Sequence, residues 1–204
     1  MATLVFADDF NYSAFPLVSP WLLNKSGAAN ANGETAFCGN GNDMCAAHDA
    51  VLTDLECYLR IGTGTAALAA LLVRTVLDGK YYGGAGYALI RANSNSSLSI
   101  ARISASGSIT YLASSAAGVA ARGTRQKGMA VGSSISLSSE GVEYLSVTDS
   151  TWGSGKVGFG NVGSNYSSYD DFELWNLAGG GGGIKHRVLG SGIVNSRAIV
   201  RGAA

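Results

Sequence analysis

Residues 55–62, LECYLRIG, alternate apolar and polar without a break. Leu55, Cys57, Leu59 and Ile61 share one face, and Glu56, Tyr58 and Arg60 the other. Period two is the mark of a strand with one face in a core and one in water. Such a strand needs partners, and candidates follow at short intervals. They are GYALIRA at 86–92, SLSIARIS at 97–104, SITYLA at 108–113, SISLSS at 134–139, VEYLSVTD at 142–149, KVGFGN at 156–161 and YDDFELWN at 169–176. Between them lie RANSNSS, SASGS, SSEG, DSTWGSG and NVGSNYSS. Their Gly, Ser and Asn residues suit the backbone angles of turns. Many short strands joined this way predict an all-β, antiparallel sandwich.

Composition agrees. Charged residues make up 14 % of the chain, against roughly a quarter in ordinary globular domains, which leaves little material for charged surface helices. The 29 glycines and 2 prolines fit frequent turns rather than a proline-rich linker. A length of 204 residues suffices for one domain with a real core and an appendage. Residues 65–77, TAALAALLVRTVL, carry strong helix propensity from Ala and Leu. Their neighbours are strands, so the second half, around Leu71–Val76, reads as a buried strand.

Two stretches echo each other: FADDFNYS at 6–13 and SYDDFELWNL at 168–177. In the second, Phe172 and Leu174 share one face, and Asp171, Glu173 and Trp175 the other. A first and a last strand lying side by side would account for the echo and close the sandwich.

Charge divides the chain at residue 177. Residues 1–177 hold ten Lys or Arg and fourteen Asp or Glu, a balance of −4, and residues 178–204 hold Lys185, Arg187, Arg197 and Arg201 without an acid, +4. A basic tail suits an acidic partner surface, or merely keeps an apolar segment in solution. No apolar stretch of signal-peptide length follows MATLVF, and the longest apolar run, AALAALLV at 66–73, is too short to span a bilayer. A soluble chain outside the standard export route is expected.

The three cysteines, Cys38, Cys45 and Cys57, form an odd set that fits a reducing site of synthesis. Cys38 and Cys45 flank a turn-rich loop that could close as a disulfide. With His48 the set reads C-x6-C-x2-H-x8-C, which lacks the tight C-x2-C spacing of structural zinc sites. Cys57 belongs to the apolar face of its strand.

The order of these features resembles a known family. An opening DDFN is followed by Trp21, then by DLECYLRI and GYALIRA, and the ending is GKVGFG and YDDFELW. This order, over about residues 3–177, is similar to the concanavalin-like, laminin-G-like jelly rolls, which include bacteriophage and bacterial secreted proteins. The resemblance implies two curved antiparallel sheets with adjacent first and last strands. The tail, HRVLGSGIVNSRAIVRG, resembles short segments that follow such domains in phage virion proteins.

Candidate sites follow from these readings. Some relatives cleave glycosides with an E-x-D-x-x-E strand motif. None of Glu34, Glu56, Glu140, Glu143 and Glu173 stands in one, although Asp54 and Glu56 are two apart. His48 and His186 are the two histidines, and no G-x-S-x-G elbow accompanies them. No catalytic residue is therefore expected. The resemblance also implies a candidate calcium site, since laminin-G-like and legume-lectin relatives often bind the ion, and Asp8, Asp9, Asp170 and Asp171 would cluster if the terminal strands pair. The alternative is that they bond backbone amides in turns. Tyr81, Tyr82, Trp152, Tyr166 and Tyr169 are loop-placed aromatics that could form glycan platforms, or pack over a sheet edge.

The expected architecture is one jelly-roll domain over 1–177 and a C-terminal arm over 178–204. Gly179 to Gly183 form the joint. Ile184, Val188, Leu189, Ile193, Val194, Ile199 and Val200 supply apolar contacts, and Lys185, Arg187, Arg197 and Arg201 supply charge. The expected function is a non-enzymatic bacteriophage virion component, such as a capsid decoration, fibre or tail protein. Its partners would be sister subunits in a homo-oligomer, other virion proteins and host-surface glycans, with neither nucleic acid nor membrane. The rival is a carbohydrate-binding or glycan-cleaving protein of bacterial origin. No cofactor is expected beyond that calcium.

Overall fold

Sixteen strands are present among the described residues of the computed structural model, which are 1–14, 17, 19–23, 29–32, 35–38, 45–64, 68–76, 84–92, 94–162 and 167–177. In chain order they are β1 (Thr3–Asp8), β2 (Ser13–Ala14), β3 (Trp21–Leu23), β4 (Ala29–Asn32), β5 (Ala36–Cys38), β6 (Cys45–Leu52), β7 (Leu55–Gly64) and β8 (Leu68–Thr75). The second half holds β9 (Gly86–Ala92), β10 (Leu98–Ile103), β11 (Ile109–Ser114), β12 (Arg125–Val131), β13 (Ser134–Ser139), β14 (Val142–Thr148), β15 (Gly155–Val162) and β16 (Ser167–Asn176). The arm at 178–204 and the loop between Cys38 and Cys45 lie outside the described residues.

Two antiparallel sheets result. The larger runs β14-β13-β12-β7-β16-β5-β4-β2, with β1 also on β16; the smaller runs β11-β10-β9-β8-β15-β6-β3. Inward side chains of the two sheets form one core. The period-two face of β7, Leu55, Cys57, Leu59 and Ile61, is at most 1 % exposed and belongs to it, with Leu71, Leu89, Ile100, Leu137, Phe159 and Leu174. Cys57 is a buried free thiol whose pKa burial pushes up, as its place on the apolar face implies. β8 is the buried strand expected within 65–77, because strand neighbours on both sides override its helix propensity.

The terminal strands pair as the echo suggests, Asp8 opposite Phe172 and Phe6 opposite Leu174. β16 has β7 along one side. Its other side is shared by β5, at Ser167–Tyr169, and β1, at Phe172–Asn176. The two DDF motifs nevertheless differ in backbone. Phe10 takes the left-handed conformation in the first (φ 51°), and Asp171 takes it in the second (φ 51°). Asp171 marks a bulge, an extra residue against β7, which lets Tyr169 and Phe172 both point inward although they are three apart.

A cluster of aromatic rings fills the end of the core where β1, β15 and β16 converge. Trp21 lies 5.0 Å from Phe159 and 4.9 Å from Phe172 between ring centroids, and Phe159 lies 4.7 Å from Tyr169. Asp8 ties this end together. It accepts from the Phe10 amide at 2.8 Å, the Tyr12 hydroxyl at 2.9 Å and the Trp21 indole at 2.7 Å.

Candidate functional site

The outer face of the larger sheet carries a cluster of charged and aromatic side chains. Register lines them up in three rows. Trp175 of β16, Glu56 of β7 and Met129 of β12 form the first; Glu173, Tyr58 and Lys127 the second; Asp170, Arg60 and Arg125 the third. β7 and β12 alternate throughout and β16 alternates on either side of its bulge, so each row is presented on the face opposite the core.

The rows are stitched diagonally. Lys127 Nζ lies 2.8 Å from Glu56 Oε2, and the Tyr58 hydroxyl bonds the other oxygen of Glu56. Arg125 reaches from β12 across β7. Its guanidinium carbon sits 4.3 Å from the centre of the Tyr58 ring, and its Nη2 ends 2.6 Å from Glu173 Oε1. The Trp175 indole donates to the other oxygen of Glu173 at 3.1 Å. Arg60 donates to Asp171 at 2.9 Å and to the carbonyl of Gly123 at 2.6 Å. Burial, reinforced by the bond to Glu56, pushes the Tyr58 phenol well above its ordinary pKa, so it stays a neutral donor. The face is thus a fixed lattice of alternating anions and cations with two aromatic rings in it.

Beside it, the edge strand β1 walls a cleft of about 310 Å³ lined by Phe6, Ala7, Asp8, Tyr12, Ser19 and Pro20. Ala7 pairs with Glu173, so the cleft and the charged rows meet at β1. Burial and the bond to Asp8 raise the Tyr12 pKa, which keeps its hydroxyl protonated.

The residues singled out from sequence lie elsewhere. Tyr81, Tyr82 and Tyr166 fall outside the described residues. Tyr169 is not a loop platform. It is 0 % exposed, inward on β16, with its hydroxyl 2.7 Å from the Gly160 carbonyl and 2.6 Å from the Asn161 amide oxygen. Trp152 is half-buried against the core, its indole nitrogen shielded and its backbone joined to Tyr87 and Arg74. It is the edge-packing alternative that holds for this residue.

The four aspartates do not converge either, although their strands pair. Asp8 turns to Tyr12 and Trp21, Asp9 to Asn11, Asp170 to the amide of Asp171, and Asp171 to Arg60. Among the described residues no group of three or more His, Cys, Asp or Glu side chains is placed to hold a metal. Asp54 and Glu56 have separate tasks, since Asp54 accepts the Gly132 amide at 2.9 Å while Glu56 faces Lys127. Sequence reading had Glu56, Tyr58, Arg60, Glu173 and Trp175 on polar strand faces. It lacked β12, and with it Arg125 and Lys127, which join the two strands into one site.

No protein-family model matches the chain, and no curated protein does. Solved structures do. A carbohydrate-binding module from Bacillus subtilis superimposes with a TM-score of 0.59 at 13 % identity, over 75 % of this chain and 93 % of that one. A prokaryotic β-1,3-1,4-glucanase, a lichenase from a mouse hindgut metagenome, gives 0.61 at 8 % identity, over 84 % and 98 %. The exoplasmic/lumenal domain of VIP36, in a form bound to calcium and Man3GlcNAc, gives 0.52 at 12 % identity, over 83 % and 86 %. At such identities the likeness concerns the fold, and it establishes a concanavalin-like jelly roll.

Proposed function

We infer that this chain is a carbohydrate-binding domain, and that its glycan lies across the outer face of β16, β7 and β12. The observation that carries the reading is the Trp175–Glu56–Met129 and Glu173–Tyr58–Lys127 pair of rows. Sugars are recognised by apolar ring faces together with convergent donors and acceptors held in place beforehand. Here Tyr58 and Trp175 supply rings, Glu56 and Glu173 acceptors, and Lys127 and Arg125 donors, each already fixed by a neighbour. The jelly-roll neighbours, one a carbohydrate-binding module and one a glucanase, support the same reading.

Binding without cleavage is the form we favour. A glycosidase needs one carboxyl free to protonate the leaving oxygen and a second free to attack or activate water. Glu56 is committed to Lys127 and Tyr58, and Glu173 to Arg125 and Trp175. The virion role that the family resemblance implies finds no support in the three solved structures named above, and the bacterial-type glycan-binding alternative takes its place.

The test is a glycan array of β-glucans, mannans and galactans probed with the full chain, followed by titration calorimetry on any hit. Trp175→Ala and Tyr58→Ala are expected to weaken binding at least tenfold, with no reducing ends released on prolonged incubation. Binding that survives both substitutions would move the site elsewhere. Release of reducing ends lost in Glu56→Gln would make the protein an enzyme.

A further inference from the structure

The outer face of the smaller sheet has the opposite character. Antiparallel strands with one wet face alternate apolar and polar, but β8 and β9 do not. Ala69, Leu71 and Val73 of β8 and Tyr87 and Leu89 of β9 point into the core. Ala70, Leu72, Ala88 and Ile90 point outward, and with Ala101 and Ile103 of β10 they form a second apolar cluster, each at most 2 % exposed. Leu72 stands beside Ala88, which stands beside Ala101. On the other side Leu72 and Ala70 flank Gly158 and Gly160 of β15, whose missing side chains leave a trough with buried Ala47 beyond it. Among the described residues, the apolar side chains packed on this cluster are Leu68 and Ile109, which are part of the same sheet. A water-shielded apolar face on a surface sheet needs a cover.

We propose that the cover is the chain's own C-terminal segment, residues 184–200, laid across the outer face of β15, β8 and β9. The sandwich ends at the right place. The amide of Leu177 donates to the carbonyl of Asp54 at 2.9 Å, and the neighbouring Thr53 carbonyl is held by Arg74 of β8 at 2.9 and 2.6 Å. Leu72 lies two residues before Arg74, about 7 Å along the strand. Residues 178–183, Ala and five Gly, reach at most about 20 Å, enough to turn the chain onto this face. The segment that follows offers Ile184, Val188, Leu189, Ile193, Val194, Ile199 and Val200. The charge of +4 on residues 178–204 opposes the −4 of residues 1–177. Tethering gives it an effective concentration that a second molecule matches only in concentrated solution.

Lys185, Arg187 and Arg197, with Arg201 just beyond, make the segment a trypsin target. In the full chain, cleavage there is expected at least tenfold slower than in a free peptide of residues 178–204. Ala88→Arg puts a charge in the middle of the face and should bring cleavage to the peptide rate. Val188→Asp with Ile193→Asp leaves the sandwich untouched. It must give the same release together with binding of a hydrophobic dye, so the proposal is tested even where Ala88→Arg fails to fold. Cleavage of the unaltered chain at the peptide rate, or slow cleavage that survives the tail variant, overturns the proposal. So does a concentration-dependent doubling of mass in light scattering, which would put a second copy on the face instead.

Discussion

An ideal Cβ built on Gly155 would stand 2.4 Å from the carbonyl carbon of Arg74 and 2.6 Å from its oxygen. Arg74 is itself left-handed (φ 49°) and its side chain is fully buried. It donates to the carbonyls of Thr53, Gly132 (2.8 Å) and Trp152 (3.1 Å), and sits 3.7 Å from Asp54. One guanidinium therefore satisfies two connections between the sheets, at Thr53 and Trp152, and the β12–β13 hairpin at Gly132, and burial lowers its pKa without a close carboxylate to compensate fully. Its backbone can occupy this place because Gly155 has no side chain. Gly155→Ala must push the strand back. We expect a loss of about 1–3 kcal/mol, read as a lowered urea midpoint. Gly153→Ala, two residues earlier and with nothing within 4 Å, should be near neutral. Equal effects at the two positions would show that crowding against Arg74 is not the cause.

The same logic explains what sequence showed and what it hid. The strands at 86–92 and 134–139 have the bounds read from the sequence, because alternation or a continuous apolar run marks them. β12 escaped notice because its inward residues are Gln126, Gly128 and Ala130. Gly128 is small for a reason invisible in one dimension: a Cβ there would lie 2.5 Å from Leu89 Cδ1 and 3.0 Å from Leu71 Cδ2 of the facing sheet. The candidate site was half legible. The polar faces of β7 and β16 could be read, but their union through Arg125 and Lys127 depends on pairing with Arg60 and Tyr58, far away in the chain. An unbroken period-two pattern places Tyr169 on the face opposite Phe172, and the bulge between them, which no such pattern announces, turns it inward.

Acid should weaken the fold through Asp149. Burial alone would raise its pKa, but bonds from Thr151 and Tyr87 and the charge of Arg102, 2.7 Å away, outweigh it and hold the carboxyl at about 2. A carboxyl lowered on folding stabilises above its unfolded pKa, and that contribution fades as pH falls from about 4 to about 2. The side chain is 11 % exposed, so screening is limited, and the effect is on the order of 1–2 kcal/mol. Asp170 acts in the opposite sense, since burial raises its pKa and protonation relieves it. The measurement is therefore a difference. The gap in urea midpoint between the native chain and Asp149→Asn should be wide at pH 6 and close by pH 2. A gap independent of pH would assign the role of Asp149 to packing rather than charge.

The bulge at Asp171 separates backbone strain from charge. Its ion pair with Arg60 is 2.9 Å long, but the two side chains are 44 % and 42 % exposed, and such a pair is worth about 0–1 kcal/mol. The left-handed backbone is the larger constraint. Asn tolerates that conformation and a β-branched residue does not, at a cost of about 1–2 kcal/mol. Asp171→Asn should therefore lose little, and less still in high salt, where the wild-type pair is already screened. Asp171→Val should lose both terms, and its extra cost over Asn should not change with salt. The strain also bears on the site, because the bulge sets whether Glu173 and Trp175 stay opposite Tyr58 and Glu56. If Val were tolerated as well as Asn in chemical denaturation, the bulge would have relaxed, Phe172 would leave the core, and the near-ultraviolet signal of the Trp21–Phe172 cluster would change with it.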